Sequence, residues 1–126
     1  LTPQSVHQLG GYRVQGRSDS GAATLKADAF ALEQAGAALM VLEMIPAALA
    51  TDLTRSLTTM ATIGIGAGVE CHGQVLVLHD LIGVFPGRRP RFAKNFMEGA
   101  ASLDDAVTRY VTDVREGRFP GPEHSY

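Results

Sequence analysis

The stretch Ala37-Ala38-Leu39-Met40-Val41-Leu42-Glu43-Met44-Ile45-Pro46 decides the fold that this sequence predicts. Six apolar residues run without a charge into Glu43, and Pro46 closes the run before a helical pattern begins. A continuous apolar run of this length is typical of a strand that is covered on both faces of a parallel sheet. We therefore predict a buried strand that ends in an acid.

Glu43 is the leading candidate for a functional residue. Side chains alternate along a strand, so Glu43 shares a face with Leu39 and Val41, while Met40 and Leu42 take the other face. Open and closed α/β folds place their chemistry at the carboxyl ends of strands. A carboxylate in a mostly apolar site is suited to take a proton from carbon. The alternative is an acid that caps the next helix or pairs with an arginine, and position alone leaves both open.

The composition describes an ordinary folded domain. Of the 126 residues, 45% are apolar and 19% are charged, which allows one domain with a sizeable core. The net charge of −2 and the interspersed charges indicate neither a nucleic-acid partner nor a basic membrane-binding face. No apolar run approaches the roughly 20 residues of a membrane span, and the single cysteine excludes an internal disulfide. We expect a cytoplasmic protein. Because the sequence opens on Leu1, we also expect it to begin partway through a longer protein.

Helical patterns flank the Glu43 strand. Residues 1–20 are rich in Gly, Ser, Gln and Arg and predict a long loop. Ser18 to Ser20 can cap a first helix, and Gly36 suits the left-handed position after its end. A second helix is predicted after Pro46. Its apolar stripe consists of Leu49, Leu53 and Leu57.

Two more short apolar runs, residues 61–68 and 73–80, predict two further strands. Three strands, of which the first two are separated by a helix, predict a parallel sheet. The last two are separated by fewer than the dozen residues that a crossover helix needs, so we expect an irregular connection. Three parallel strands would leave two open edges, and the sheet is expected to need more strands.

The last third of the chain predicts two helices and a tail. Phe92 and Phe96 are spaced to share one face of a short helix, and Ser102 with Asp105 forms a capping-box pattern for the last helix. Residues 119–126 predict an irregular tail. The apolar stripe of the last helix is predicted to consist of Leu103, Val107, Tyr110, Val111 and Val114.

The glycine-rich run at residues 64–68 invites comparison with a phosphate-binding loop. Its third glycine comes too early for the dinucleotide fingerprint, and no lysine follows as in a P-loop. Close approach of the backbone to a substrate or to a neighbouring strand is the favoured interpretation.

Cys71, His72 and His79 are metal-ligand residue types. Their spacing matches no closed zinc pattern, so a metal site built from them alone is not expected. His7 is interpreted as a solvated polar group. A basic cluster is interpreted as a solvated face or subunit contact, with steering of an anionic substrate as the alternative. The cluster consists of Arg88, Arg89 and Arg91.

Several stretches together resemble one family, the ketopantoate hydroxymethyltransferases of pantothenate biosynthesis. The stretches follow the order of the family's pattern and span nearly the whole chain, which makes a chance match improbable. They are residues 1–6, 10–17, 42–46, 63–68, 73–80, 92–96 and 120–126.

The resemblance implies an α/β fold that corresponds to the carboxyl-terminal half of a (β/α)8 TIM barrel. Strands six to eight with their flanking helices would form a single partial domain over residues 1–126. Residues 1–20 would be an active-site loop, and residues 119–126 an irregular tail. A homo-oligomer, commonly a decamer, is also implied.

The resemblance further implies transfer of a hydroxymethyl group from 5,10-methylenetetrahydrofolate to 3-methyl-2-oxobutanoate, giving 2-dehydropantoate. Glu43 matches the family's general base, which removes a proton from C3 of the keto acid bound to Mg²⁺. Ile65, Gly66 and Val77 are the candidate substrate-pocket residues. The family's metal-binding acids and substrate-binding lysine lie in sequence absent here, so no metal ligand is assigned to this chain and we expect it to be inactive alone.

Two positions depart from the family's pattern. His72 stands where the family usually has Asp, an acid that would hold a loop near the site. Residues 59–62 replace a usual Ile-Pro. Two alternatives to the transferase are another magnesium-dependent barrel enzyme of 2-oxo acid C–C bond chemistry and an inactive piece that acts only in assembly.

Overall fold

The chain forms a three-stranded parallel sheet with its longer helices packed beside it. The structure is a computed structural model, and it describes residues 7–8, 11, 13–84, 87 and 89–126. Arg88, residues 1–6 and several others of the expected 1–20 loop lie outside the described residues. The helices are α1 (Asp19–Gln34), α2 (Ala47–Ser56), α3 (Leu78–Leu81) and α4 (Leu103–Arg115), and the strands are β1 (Leu39–Glu43), β2 (Ala61–Ile65) and β3 (Gly73–Gln74). The tail contains one 3-10 turn, Pro122–His124.

The predicted first helix is confirmed, with its cap. The Ser18 hydroxyl accepts a hydrogen bond from the Gly21 main-chain N–H at 3.1 Å and so satisfies one of the free donors at the start of α1. The helix begins at Asp19, slightly before the expected end of the preceding loop. Gly36 has a φ of +89°, the left-handed conformation predicted for the position after the helix.

A first hydrophobic cluster, the helix-side core, joins β1 to α1 and α2. Leu42 is buried in it, and Met40 packs against it, which confirms that these two residues take one face of the strand. The predicted stripe of α2 is also confirmed. The buried members of the helix-side core are Ala29, Leu42, Ile45, Leu49, Ala50, Leu53, Leu57, Met60, Ala67 and Cys71.

The opposite face of β1 is open. Leu39 is 65% exposed and Val41 is 58% exposed. The prediction of a strand covered on both faces is therefore wrong for the described chain, because α1 and α2 pack on one face only. The apolar composition of that strand indicates a face suited to burial.

The sheet order is β1-β2-β3, with both pairs parallel as predicted. The connection at residues 66–72 contains no helix, also as predicted. The prediction of a long third strand is wrong, because only Gly73–Gln74 pairs with β2. One more hydrogen bond follows, from the Val75 N–H to the Gly64 carbonyl at 2.9 Å, and the chain then turns into α3.

A second hydrophobic cluster, the carboxyl-end core, lies where β2 ends. Phe96 makes edge-to-face contacts with Tyr110 and Phe119, each at 5.4 Å between ring centres. The predicted short helix at Phe92 and Phe96 is wrong, since both lie in turns, and the Phe96 N–H donates to the distant Leu81 carbonyl at 2.8 Å. The buried members are Ile65, Leu76, Leu81, Phe92, Ala93, Phe96, Ala106 and Phe119.

The predicted cap of α4 is confirmed, but its predicted buried face is only partly right. The Asp105 N–H donates to the Ser102 hydroxyl at 3.1 Å, while the Asp105 carboxylate accepts from the Ala101 N–H at 2.9 Å. Ala106 is buried, and Tyr110 and Val114 pack against the carboxyl-end core. The neighbouring apolar positions are exposed because the helix turns a different line of residues to the core. They are Leu103, Val107 and Val111.

No helix among the described ranges is both long and apolar enough to cross a membrane.

Candidate active site

Glu43 is the last residue of β1, as predicted, and is half-buried. In the parallel register it lies directly beside Ile65, the last residue of β2. The Met44 N–H donates to the Ile65 carbonyl at 2.9 Å and ties the two strand ends together. Paired residues of neighbouring strands point to the same side of a sheet, so Glu43 borders the buried Ile65 and the carboxyl-end core.

The turn after Glu43 is held in an uncommon conformation. Met44 has a φ of +50°, the only non-glycine residue in the described part of the chain with a positive φ. Its N–H is bound by Ile65, and its carbonyl accepts from the Gln15 N–H at 3.0 Å. A non-glycine residue in this region costs of order 1–3 kcal/mol, and such residues cluster at functional sites. The turn directs the chain from Glu43 into α2.

The glycine-rich run permits close contacts. At Gly64 the neighbour is a strand, as one of the two favoured interpretations has it, since an added Cβ would lie 2.8 Å from Gln74 Oε1 of β3, while two further glycines approach other segments. At Gly66, with φ +65°, an added Cβ would lie 3.0 Å from both Phe92 Cβ and Tyr126 Cε2. At Gly68, with φ +83°, it would lie 2.7 Å from Ala47 Cβ. Larger residues at either position would push apart the segments that meet at the strand ends.

The three candidate pocket residues differ in their surroundings. Ile65 is buried in the carboxyl-end core, and Gly66 is buried beneath Phe92 and Tyr126. Val77 is 53% exposed and lies beyond β3, on the far side of β2 from Glu43. The structure therefore brings Ile65 and Gly66 to the end of β1 and leaves Val77 two strands away.

His72 acts away from the carboxyl ends of the strands. Its Nδ1 accepts a hydrogen bond from the Thr62 N–H at 3.1 Å, near the start of β2. In this chain His72 therefore binds the start of β2 and not a loop at the carboxyl ends of the strands. Thr62 is fully buried, and its hydroxyl lies 2.7 Å from the Thr54 hydroxyl of α2. His72 thus completes a polar contact between α2, β2 and the start of β3.

The other ligand-type residues do not converge. Burial raises the pKa of the Cys71 thiol, although hydrogen bonds with Thr62 and Thr54 oppose the shift. His79 is exposed on α3. Among the described residues there is no group of three His, Cys, Asp or Glu side chains placed to hold a metal ion.

A cavity of about 520 Å³ lies beside Glu43, at the open edge of β1. Its walls come from the loop before α1, from α1 and from the whole second half of β1, and they include Gln15, Asp28, Val41 and Glu43. No sequence periodicity indicates Gln15 or Asp28, because their position depends on how α1 packs beside the strand. The cavity lining also includes Leu53 of α2 and other residues of the helix-side core, so the cavity lies between α1 and the edge of β1.

The tail also returns to this site, which its composition did not indicate. The Ala47 N–H, at the start of α2, donates to the Tyr126 main-chain carbonyl at 2.7 Å. Only a long-range contact places Tyr126 here, so no local pattern could have identified it.

Comparisons with known proteins all point to one family. The family model described as Ketopantoate hydroxymethyltransferase matches residues 1–122. Relatives named 3-methyl-2-oxobutanoate hydroxymethyltransferase are 75% identical in Azoarcus sp. (strain BH72), 69% in Aromatoleum aromaticum and 62% in Ralstonia nicotianae, each over all 126 residues. The chain spans 46% of the length of each of these relatives. On this match and the shared sequence blocks, the chain belongs to the ketopantoate hydroxymethyltransferase family.

Proposed function

We propose that this chain forms part of an enzyme that transfers a hydroxymethyl group from 5,10-methylenetetrahydrofolate to 3-methyl-2-oxobutanoate. The product is 2-dehydropantoate, a step of pantothenate biosynthesis. The observation that carries the proposal is the position of Glu43, which ends β1 beside Ile65 in a chain that the family model matches almost throughout.

Glu43 is the general base in this proposal. Its carboxylate removes the proton from C3 of the keto acid to give an enolate. Water adds to the methylene carbon of the folate and both C–N bonds break, so the carbon becomes an aldehyde and tetrahydrofolate leaves with the two hydrogens of the water on its nitrogens. The enolate carbon then bonds to the aldehyde carbon, and the resulting alkoxide takes the proton held by Glu43. Support comes from the fixed Met44 turn, since a base must be held within reach of the proton that it removes.

We further propose that the chain is the carboxyl-terminal half of a (β/α)8 barrel. The support is the parallel order of the three strands and the exposed apolar face at Leu39 and Val41, which would be the inner face of a closed barrel. Residues 1–20 would then contribute an active-site loop. Assembly as a cytoplasmic homo-oligomer, with the family's decamer as the expected state, belongs to the same proposal.

Magnesium is the metal that the family resemblance implies. The described residues of this chain do not fit it, since no three ligand-type side chains converge and magnesium requires several oxygen ligands in octahedral array. We propose that the ligands belong to the portion of the relatives' length that this chain does not span. Every step assigned here to the chain therefore uses its own side chains.

The test uses a composite protein, in which this chain replaces the 126 residues that it matches in the Azoarcus relative. We expect the composite to catalyse exchange of the C3 proton of 3-methyl-2-oxobutanoate in deuterium oxide, followed by NMR. Glu43→Gln should lower the exchange rate by about two to four orders of magnitude, the usual contribution of a general base.

Glu70→Gln is the matched control, because Glu70 is an exposed acid that pairs with Arg55 at 3.5 Å. It should leave exchange unchanged. A composite that neither exchanges the proton nor forms 2-dehydropantoate would reject the proposed function. An active composite in which Glu43→Gln changes nothing would reject Glu43 as the base.

A further inference from the structure

Tyr126 contacts the chain segment that follows β1 and the chain segment that follows β2. Its main-chain carbonyl accepts from the Ala47 N–H at 2.7 Å, four residues after Glu43. Its ring lies against Gly66, where an added Cβ would be 3.0 Å from Cε2. Gly66 directly follows Ile65, the residue that pairs with Glu43 in the sheet. One residue of the tail therefore contacts the segments that follow the carboxyl ends of both β1 and β2.

Arg91 holds the tail in this position. Its Nε donates to the Glu123 carbonyl at 3.0 Å, and its Nη2 donates to the Pro122 carbonyl at 3.3 Å. The guanidinium carbon also lies 5.5 Å from the centre of the Tyr126 ring, within the range of a cation–π contact. Arg91 is thus committed to the tail by hydrogen bonds, whereas the neighbouring Arg89 forms an ion pair with Glu98, at 3.8 Å.

The tail is also braced internally. The Gly121 N–H donates to His124 Nδ1 at 3.2 Å, and the Ser125 hydroxyl donates to the Gly121 carbonyl at 3.0 Å. The His124 ring lies 5.1 Å from the ring of the buried Phe119. These contacts hold residues 119–126 in one conformation, so that fixing one end of the segment also fixes the position of Tyr126.

We propose that Tyr126 and Arg91 are positioning residues, which fix the Glu43 turn through Ala47 and Gly66. The inference rests on the proposed role of Glu43 as the base. Fixing the turn matters because a shift of about 1 Å in a catalytic group can cost about a hundredfold in rate. Neither residue is assigned a contact with substrate.

The experiment compares four variants of the composite protein: Tyr126→Ala, Tyr126→Phe, Arg91→Ala and Arg89→Ala. Hydrogen–deuterium exchange is measured at the Met44 and Ala47 amides, with the amides of α1 as an internal reference. In parallel, kcat and KM are measured for the transfer reaction. The exchange measurement does not depend on activity, so it tests the inference even if the proposed function fails.

We expect faster exchange at Met44 and Ala47 in Tyr126→Ala and Arg91→Ala, with α1 unchanged. Their kcat should fall by about ten- to a hundredfold with little change in KM, because the base is displaced while substrate contacts remain. Tyr126→Phe, which keeps the ring, and Arg89→Ala should resemble the parent protein. Unchanged exchange at Met44 and Ala47, or equally faster exchange throughout α1, would overturn the inference. Loss of transfer in the parent composite alone would reject only the proposed function.

Discussion

At Met44 the chain accepts a backbone conformation that most side chains avoid. The φ of +50° is maintained because the N–H and carbonyl of Met44 are both bound, to Ile65 and Gln15, and its side chain packs against the carboxyl-end core. The cost of the conformation is thus offset by contacts that fix the residue after Glu43. A residue chosen only for low strain would be glycine.

Met44→Ile tests this account. A β-branched side chain is strongly disfavoured at positive φ, so the free energy of unfolding should fall by about 1 kcal/mol more than for Met97→Ile. Met97 packs against the same core but lies outside the positive-φ region, which makes it a matched control. Chemical denaturation of the composite protein measures both losses. Equal losses would show that the conformation of Met44 is not strained.

His124 predicts a pH dependence of the tail. Burial lowers its pKa; Glu123, 3.3 Å from Nδ1, raises it, and the nearby cations Lys94 and Arg89 lower it. The folded state therefore favours the neutral imidazole, whose Nδ1 accepts from the Gly121 N–H. Its stabilisation should be present above the ordinary histidine pKa of about 6.5 and be lost as the pH falls from there towards the lowered pKa.

We expect His124→Asn, which can keep an acceptor near Gly121, to reduce the fall in stability between about pH 7 and about pH 5. His79→Asn, at an exposed histidine, is the control and should retain the parent's dependence. Thermal denaturation of the composite at several pH values provides the measurement. Parallel curves for the parent and His124→Asn would contradict the assignment.

The Glu33 carboxylate of α1 binds the connection between α2 and β2. Glu33 Oε1 accepts from the main-chain N–H groups of Thr58 and Thr59, each at 2.7 Å, and of Met60 at 3.1 Å. These amides lead into residues 59–62, so α1 holds this connection in place. The hydrogen bond from the Thr59 N–H, followed by those from Thr58 and Met60, lowers the pKa of Glu33 despite some desolvation.

Glu33→Gln should lower the free energy of unfolding at neutral pH. It should also make the free energy of unfolding fall less as the pH is lowered. A lowered folded-state pKa means that the stabilisation is present above the ordinary value of 4.5 and is lost as the pH falls through the folded-state pKa. Asp52→Asn is the control, because Asp52 forms an exposed ion pair with Lys26 between α1 and α2, a type that contributes little. Urea denaturation at about pH 7 and about pH 3.5 distinguishes the Glu33→Gln variant from the Asp52→Asn variant. Equal effects would contradict the role of Glu33.

Across the whole molecule, the sheet has an apolar face without cover and, at β1, an edge without a neighbouring strand in the described chain. Leu39 and Val41 are exposed on that face, and β1 has a neighbour on one side only. A fully buried side chain of this size contributes roughly 1.5 to 3 kcal/mol, and a domain has only about 5 to 15 kcal/mol in total. The missing burial of a few such residues is therefore comparable to the stability of a domain.

We expect residues 1–126 alone to self-associate and to lack hydroxymethyltransferase activity. Val41→Thr with Leu39→Gln should reduce self-association, because both changes make the open face polar. Sedimentation velocity measures the association, and calorimetry with MgCl₂ should detect no stoichiometric binding. A monodisperse monomer with a cooperative thermal transition would contradict the half-barrel proposal. Addition of the remaining portion of the Azoarcus relative should restore cooperative unfolding.

Several helix ends, the strand that ends at Glu43 and the family could be predicted from the sequence. Ser18, Ser102 and Gly36 mark helix ends through bonds within a few residues, and the apolar run before Glu43 placed it at a strand end. These features were predictable because hydrogen bonds and side-chain periodicity over short separations fix them.

The contacts between distant apolar groups could not be predicted from the sequence. β3 stops at Gln74, Phe96 lies in a turn bonded to Leu81, and α4 turns Ala106 rather than Val107 to the core. Tyr126 reaches Ala47 across most of the chain. Each of these outcomes depends on a partner far away in sequence, and no local propensity specifies that partner. The same separation explains why Glu43 was found from the sequence, while the residues that hold its turn were not.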